Sequence, residues 1–353
     1  MQHDQLEDWT YQNIIAGGRL RMTPRPNKPT AERLSIVTAC FCVLILFTLP
    51  NRLVSAERQS LLQFNWQAGK RYTVALETSK KLVLENLPPG ANKSGENEKS
   101  VFTISVLKAG PRENCELVVE CLSTKSELNG ESTYSFDSTT DPKKDVGIPI
   151  AALKRALIGT KIKYLLDSEY RVLHVDGTDE LLSKMIAHDP ALRGDTSTPF
   201  LTEAKFGTNA LGDLLQEFMV LGLPKKTLKV GDQWSDATQH RTEQTVAESR
   251  FTFAGLERHL NRDCVRIEID GKIENSAKVK VPSGTPIPSI HGRVKGNLWL
   301  DTKLEMLVER TIVEDTTTAM KMPVVHGEEG ETVPMTMKQQ KTVVCRLMKV
   351  EDN

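Results

Sequence analysis

The stretch "FTISVLKAGPRENC", Phe102 to Cys115, returns later in the chain as "FTFAGLERHLNRDC", Phe251 to Cys264, with Phe, Thr, Leu and Cys at the same places. Each copy is rich in β-branched and aromatic residues and runs into a polar turn, the signature of a strand, a turn and a second strand. The match alone is weak; the order of its neighbours strengthens it. Upstream, Gly69-Lys70-Arg71-Tyr72 is echoed by Gly231-Asp232-Gln233-Trp234. Downstream, Leu166-Asp167-Ser168 with Val172-Leu173 is echoed by Leu300-Asp301-Thr302 with Met306-Leu307, each fitting a hairpin turn. The reading is two related antiparallel units, Leu62 to Gly177 and Lys229 to the C-terminus. Shared turn chemistry in unrelated hairpins is the competing explanation.

Outward from these stretches, "RYTVALET" (71–78), "CELVVECL" (115–122), "DCVRIEIDGKI" (263–273), "GRVKGNLWLD" (292–301), "MLVERTIVED" (306–315) and "KTVVCRLMKV" (341–350) read as further strands. "YLLDSEYRVLHVDG" (164–177) reads as a hairpin, and the polar "LPPGANKSGENEKS" (87–100) as an exposed loop. Three segments read as helices. "IPIAALKRALIG" places Pro149 in the first turn and Gly159 just past the end. "TDELLSKMIAH" starts at Thr178. "TNALGDLLQEFMVLGLP" sets Ala210, Leu211, Leu214, Leu215, Phe218 and Leu221 on one face, which should lie on a sheet. The expected fold class is α+β, with two half-barrel-like sheet units, helices between them and an export helix in front.

That export helix is expected at "LSIVTACFCVLILFTL", Leu34 to Leu49, an uncharged apolar run preceded by Arg19, Arg21, Arg25, Lys28 and Arg33. A basic flank before an apolar run keeps its basic side inside and sends the downstream chain across the membrane. The run lies between a signal h-region and the roughly 20 residues of a full span, so both a cleaved signal and a signal anchor fit it. Val54-Ser55-Ala56 offers small or apolar residues for cleavage after Ala56. The expected organisation is a cytoplasmic basic tail (1–33), a signal peptide or anchor (34–56), a first sheet unit with helices (57–223) and a second sheet unit (224–353). The body is then expected in the periplasm or on the outer face of the inner membrane, tethered through the N-terminal segment if that is uncleaved.

The 353 residues carry 46 basic and 46 acidic side chains, so no global field draws the chain to nucleic acid. Of six cysteines, four lie in the body. Cys115 and Cys121 cannot pair if they share one strand, because six residues span roughly 20 Å. Cys264 with Cys345 is the pair to test, against buried free thiols as the alternative.

Common catalytic signatures are missing. "GTNALGD" (207–213) has the glycine spacing of a phosphate loop but Asp where Lys must reach the phosphates. There is no G-x-S-x-G, H-E-x-x-H or paired C-x-x-C. His174 and Asp176 stand two apart and would share a strand face, with no nucleophile to name beside them. Met320, Met322, Met335 and Met337 alternate along strands, with His326 and Cys345 near in sequence. Thioethers on one side of a sheet suit Cu(I), but the same alternation buries methionine in a core. Curved antiparallel sheets with helices on one face also make cavities for apolar ligands.

"GTKIKYLLDSEYRVLHVDGTDELL" (159–182) and "LGLPKKTLKVGDQW" (221–234) resemble a family of exported bacterial proteins of unknown function. Its members similarly have a strand hairpin ending in V-x-G, a helical middle, an L-P-x-x-x-[LV]-x-V-G-D-x-W junction and a strand-rich C-terminal half. The resemblance implies a bacterial envelope location and no reaction. The shape is also similar to lipoprotein-carrier half-barrels, by fold analogy alone. The expected function is therefore a non-enzymatic envelope protein, without cofactor, that holds an apolar or lipid-like ligand or envelope protein partners. The alternatives are a copper binder using the methionines, or a hydrolase whose site the sequence does not reveal.

Overall fold

Alternating buried and exposed residues resolve into fourteen strands, with three α-helices and one 3-10 turn among the described residues. The structure, a computed structural model, describes residues 60–85, 92–110, 113–130, 133–145, 148–188, 207–220, 222–239, 245–275, 288–323 and 332–353. The expected export segment, Cys40, Cys42, Ala56 and His326 lie outside the described residues. Among those described, no helix is long and apolar enough to cross a membrane.

Two short strands, β1 (Ser60–Leu61) and β8 (Thr227–Leu228), pair with each other. The other twelve form one antiparallel sheet. Its first meander is β2 (Lys70–Glu85), β3 (Lys93–Lys108), β4 (Cys115–Asn129), β6 (Lys161–Leu166) and β7 (Val172–Asp176), with β5 (Tyr134–Asp137) added to β4. The second is β9 (Gln233–Gln239), β10 (Thr245–His259), β11 (Arg262–Asn275), β12 (Ser289–Asp301), β13 (Met306–Pro323) and β14 (Thr332–Asp352). The meanders meet where β2 pairs β14, from Lys70 opposite Asp352 to Glu85 opposite Thr336. Among the described residues, β7 and β9 are the edge strands. Residues Glu57–Asn353 form one compact unit.

The segment expected as a loop before Ser100 is a strand from Lys93 onward. Few of its residues are apolar, so no hydrophobic alternation marks it. Cross-strand charge holds it instead: Glu96 meets Lys80 at 3.4 Å and Lys99 meets Glu77 at 2.8 Å.

Helix α1 (Pro149–Leu157) begins at proline and ends before Gly159, whose φ of 69° is the left-handed conformation a helix stop needs. Helix α2 (Thr178–His188) buries Leu181 and Met185 and packs on α1. Helix α3 (Thr208–Gln216) buries Leu211 and Leu215, and the Leu211 carbonyl accepts the Tyr164 hydroxyl at 3.0 Å. It stops before the expected Phe218. There Arg310 of β13 takes the Gln216 carbonyl at 3.0 Å and the Glu217 carboxylate at 2.6 Å. Phe218 is still buried, 5.4 Å from the Phe102 ring.

The helices cover the sheet face that carries Tyr72, Phe102, Ile104, Leu117, Phe253 and Ile267. The chain entering β2 ties this base together. Phe64, Trp66 and Tyr72 stack edge to face in sequence, and Phe64 also meets Tyr170 of the β6–β7 hairpin; each such pair adds about 0.5–1.5 kcal/mol beyond its buried area. Asn65 donates its backbone N–H to the Glu305 carbonyl in the β12–β13 hairpin, 2.8 Å. One segment thus touches both hairpins that the sequence matched. Each hairpin opens on an aspartate that caps the turn: Asp167 accepts from the Glu169 and Arg171 N–H groups, Asp301 from those of Lys303 and Leu304. Each also holds a residue at positive φ, Tyr170 at 61° and Glu305 at 54°.

Candidate functional site

Residues opposed in an antiparallel pair share a face. The register therefore extends the helix-bearing face row by row toward the far ends of β2, β13 and β14. Nearest the base, Phe102, Val74 and Leu347 form an apolar row. The next carries Thr124, Ser100, Leu76, Cys345 and Arg310. Then comes a charged belt: Glu98 beyond Thr78, then Glu96, Lys80, Lys341 and Glu314 side by side. Its carboxylates are matched, Glu98 by Lys154 of α1 at 2.5 Å and Glu314 by Lys341 at 3.5 Å. Ser100 donates to Glu98 and shares a short hydrogen bond with Thr124.

Beyond the belt the face turns apolar again. Leu82 lies opposite Gln339; Leu84, Met337, Thr318 and Ile290 form one row across β2, β14, β13 and β12; Met335 and Met320 form the next. Leu82, Leu84, Ile290, Met320, Met335 and Met337 are all half-buried. Fully burying such a side chain yields about 1.5–3 kcal/mol, so each leaves part of that stabilisation unrealised.

The methionines expected from alternation thus come together: Met320 opposes Met335, Met337 lies on the same face, and Met322 is on β13 opposite Val333. Cys345 sits toward the base, several rows away. Among the described residues there is no group of three or more His, Cys, Asp or Glu side chains that could hold a metal ion. Among the described residues of the band, the thioethers are its soft donors.

Cys264 and Cys345 are not brought together. They lie on β11 and β14 with two strands between them, about 14 Å by strand spacing, and both thiols are free and buried. Burial pushes Cys345 up to about 12 and Cys264, with Asp301 beside it, up to about 11. These thiols stay protonated at neutral pH and serve as small apolar residues. Cys115 and Cys121 share β4 and are likewise free. His174 and Asp176 are exposed on the edge strand β7, where Asp176 caps the Gly177 N–H at 2.8 Å. Sequence reading missed the charged belt. Its signal was the lysine and glutamate alternation of Lys80, Glu96, Glu98, Glu314 and Lys341, which only the register assembles.

A twelve-stranded antiparallel sheet with helices on one face, a polar belt and an apolar band define a β-rich protein. The chain belongs to the family of unknown function DUF6263, whose model matches residues 114–304. No curated protein matches the chain. Among solved structures it is similar to lipovitellin, described for its lipid–protein interactions, at 8% identity and a TM-score of 0.44 over 81% of this chain. It spans about a quarter of that protein, 26% of its chain. It is also similar to a candidate exported protein with a YmcC-like fold from Bacteroides fragilis (8% identity, TM-score 0.22, 83% of this chain and 100% of that one). A third likeness is to DynF from the dynemicin biosynthesis pathway of Micromonospora chersina (5% identity, TM-score 0.16, 82% and 85% covered).

Proposed function

We propose that this chain is an exported, non-enzymatic binding protein that holds an apolar or lipid-like ligand on the inner face of its sheet. The observation that carries this reading is the half-buried band of Leu82, Leu84, Ile290, Met320, Met335 and Met337, continuous in register across four neighbouring strands and bordered by charge. The belt would meet the polar end of an amphipathic ligand and the band its apolar part. Export rests on the apolar run of residues 34–49 behind its basic flank, with the body in the periplasm or on the outer face of the inner membrane. The two meanders are read as copies of one unit, 57–223 and 224–353, supported by their shared aspartate-led hairpins. In both copies a positive-φ glycine donates to the neighbouring strand: Gly69 to Val106 and Gly231 to Phe253.

The test is native mass spectrometry of the full chain purified without detergent exchange. Extra mass that extracts into organic solvent, and is lost in Leu84→Asp and Met337→Asp, is expected. A bare polypeptide mass under gentle conditions would sink the reading and direct the search to envelope protein partners.

A second reading rests on Met320 lying opposite Met335: a Cu(I) site of thioethers using Met320, Met322, Met335 and Met337. Replacing all four with Leu roughly conserves volume, so a stoichiometric loss of bound copper with the fold retained would support it. Unchanged copper would end it.

A further inference from the structure

The sheet's other face carries a second candidate site. Two grooves lie there, one of about 530 Å³ running from β2 to β11 and one of about 620 Å³ over β9 to β12. Lys272 of β11 and Arg293 of β12 line both. Around them the opposed charges alternate: Arg250 faces Asp270, Asp270 faces Lys295, Glu248 faces Lys272, and Arg293 faces Asp315. Lys272 and Arg293 break the pattern, because they face each other. Directly opposed like charges destabilise a sheet. Neither cation is relieved by an ion pair or hydrogen bond with any other of the described residues.

The backbone is shaped around this pair. Gly271 and Gly292, the chain neighbours of Lys272 and Arg293, have no room for a side chain on the inner face. A Cβ would lie 2.5 Å from the Glu248 carbonyl oxygen at Gly271 and 2.3 Å from that of Asp315 at Gly292. The two glycines let strands β11 and β12 press against their neighbours where the grooves meet.

The geometry points to an anion-binding site at the junction of the two grooves, with Lys272 and Arg293 as its cations and a phosphate-class group as its ligand. A guanidinium grips two oxygens of such a group at once, while an ammonium adds a point charge from the facing strand. The anion would supply the negative charge missing between the two strands. Its source is either free phosphate or the phosphorylated headgroup of a lipid, and this site is independent of the apolar band on the opposite face.

The test uses the full chain, titrated calorimetrically with inorganic phosphate and pyrophosphate at low salt, and floated with phosphatidylglycerol or phosphatidylcholine vesicles. Arg293→Gln should weaken phosphate binding at least tenfold. Lys272→Gln should weaken it at least tenfold as well, because it removes the ammonium opposite Arg293 without setting a second carboxylate opposite Glu248. Phosphate binding lost in both variants assigns a free anion. A preference for phosphatidylglycerol vesicles that both variants lose, without phosphate binding, assigns a headgroup. No phosphate binding together with no vesicle preference, or one that both variants keep, overturns the site.

Discussion

Arg155 lies on α1 with only 7% of its side chain exposed, yet it is charged. Its guanidinium donates to Asp145 at 2.8 and 2.6 Å and to the Ser138 carbonyl at 2.5 Å, and it stacks over Phe136 at 4.9 Å. Arg155→Met leaves Asp145 buried without its partner, and should cost about 3–5 kcal/mol in urea unfolding; pairing it with Asp145→Leu should restore much of that. Asp301 makes a pH-dependent contribution. Burial alone would raise its pKa, but the Leu304 and Lys303 N–H groups and the Arg262 guanidinium outweigh that and hold it below the ordinary 3.8. A carboxylate depressed in the folded state stabilises above its unfolded pKa and loses that contribution as pH falls through the folded one. Asp301→Asn should therefore lower stability at pH 7 and erase part of the acid sensitivity below about pH 4, measured by melting temperature against pH. The thiols give a simpler check. None of Cys115, Cys121, Cys264 and Cys345 should react with a thiol reagent in the native protein at pH 7.5, and all four should react in urea, since burial keeps each protonated.

At the scale of elements, the strands at 101–107, 115–122 and 263–273 were legible because apolar alternation marks a half-buried strand. The helix stop at Gly159 was legible because only a left-handed residue fits there. Strand β3 before Ser100 was not: its pairing rests on Lys80, Glu77 and Lys154, none of them near in sequence. The early end of α3 was equally hidden, set by Arg310 from a distant strand. The methionine alternation was visible, whereas its continuation through Leu84 and Ile290 depended on register. Gly296 on β12 could have passed for a turn residue. A Cβ there would meet the Thr311 carbonyl oxygen at 2.2 Å and Ile312 Cδ1 at 2.7 Å. Gly296→Ala should therefore destabilise the protein by about 1–3 kcal/mol through overpacking, read as a lower urea midpoint with an unchanged slope.

At the scale of the molecule, the echoing hairpins hinted at two meanders, but nothing local marked the seam between β2 and β14. The segment from Leu62 to Gly69 was equally opaque, because its partners Tyr170 and Glu305 come from different halves of the chain. The seam also orders events in time. It aligns Lys70 with Asp352, so β2 lacks one of its two neighbours until β14 has been synthesised. A nascent chain that has not yet added Thr332–Asp352 exposes one open edge of a strand sixteen residues long in the middle of its future sheet. Such a chain is open to chaperones and proteases until β14 emerges, and its maturation is bound to that strand rather than to the emergence of β2 to β7.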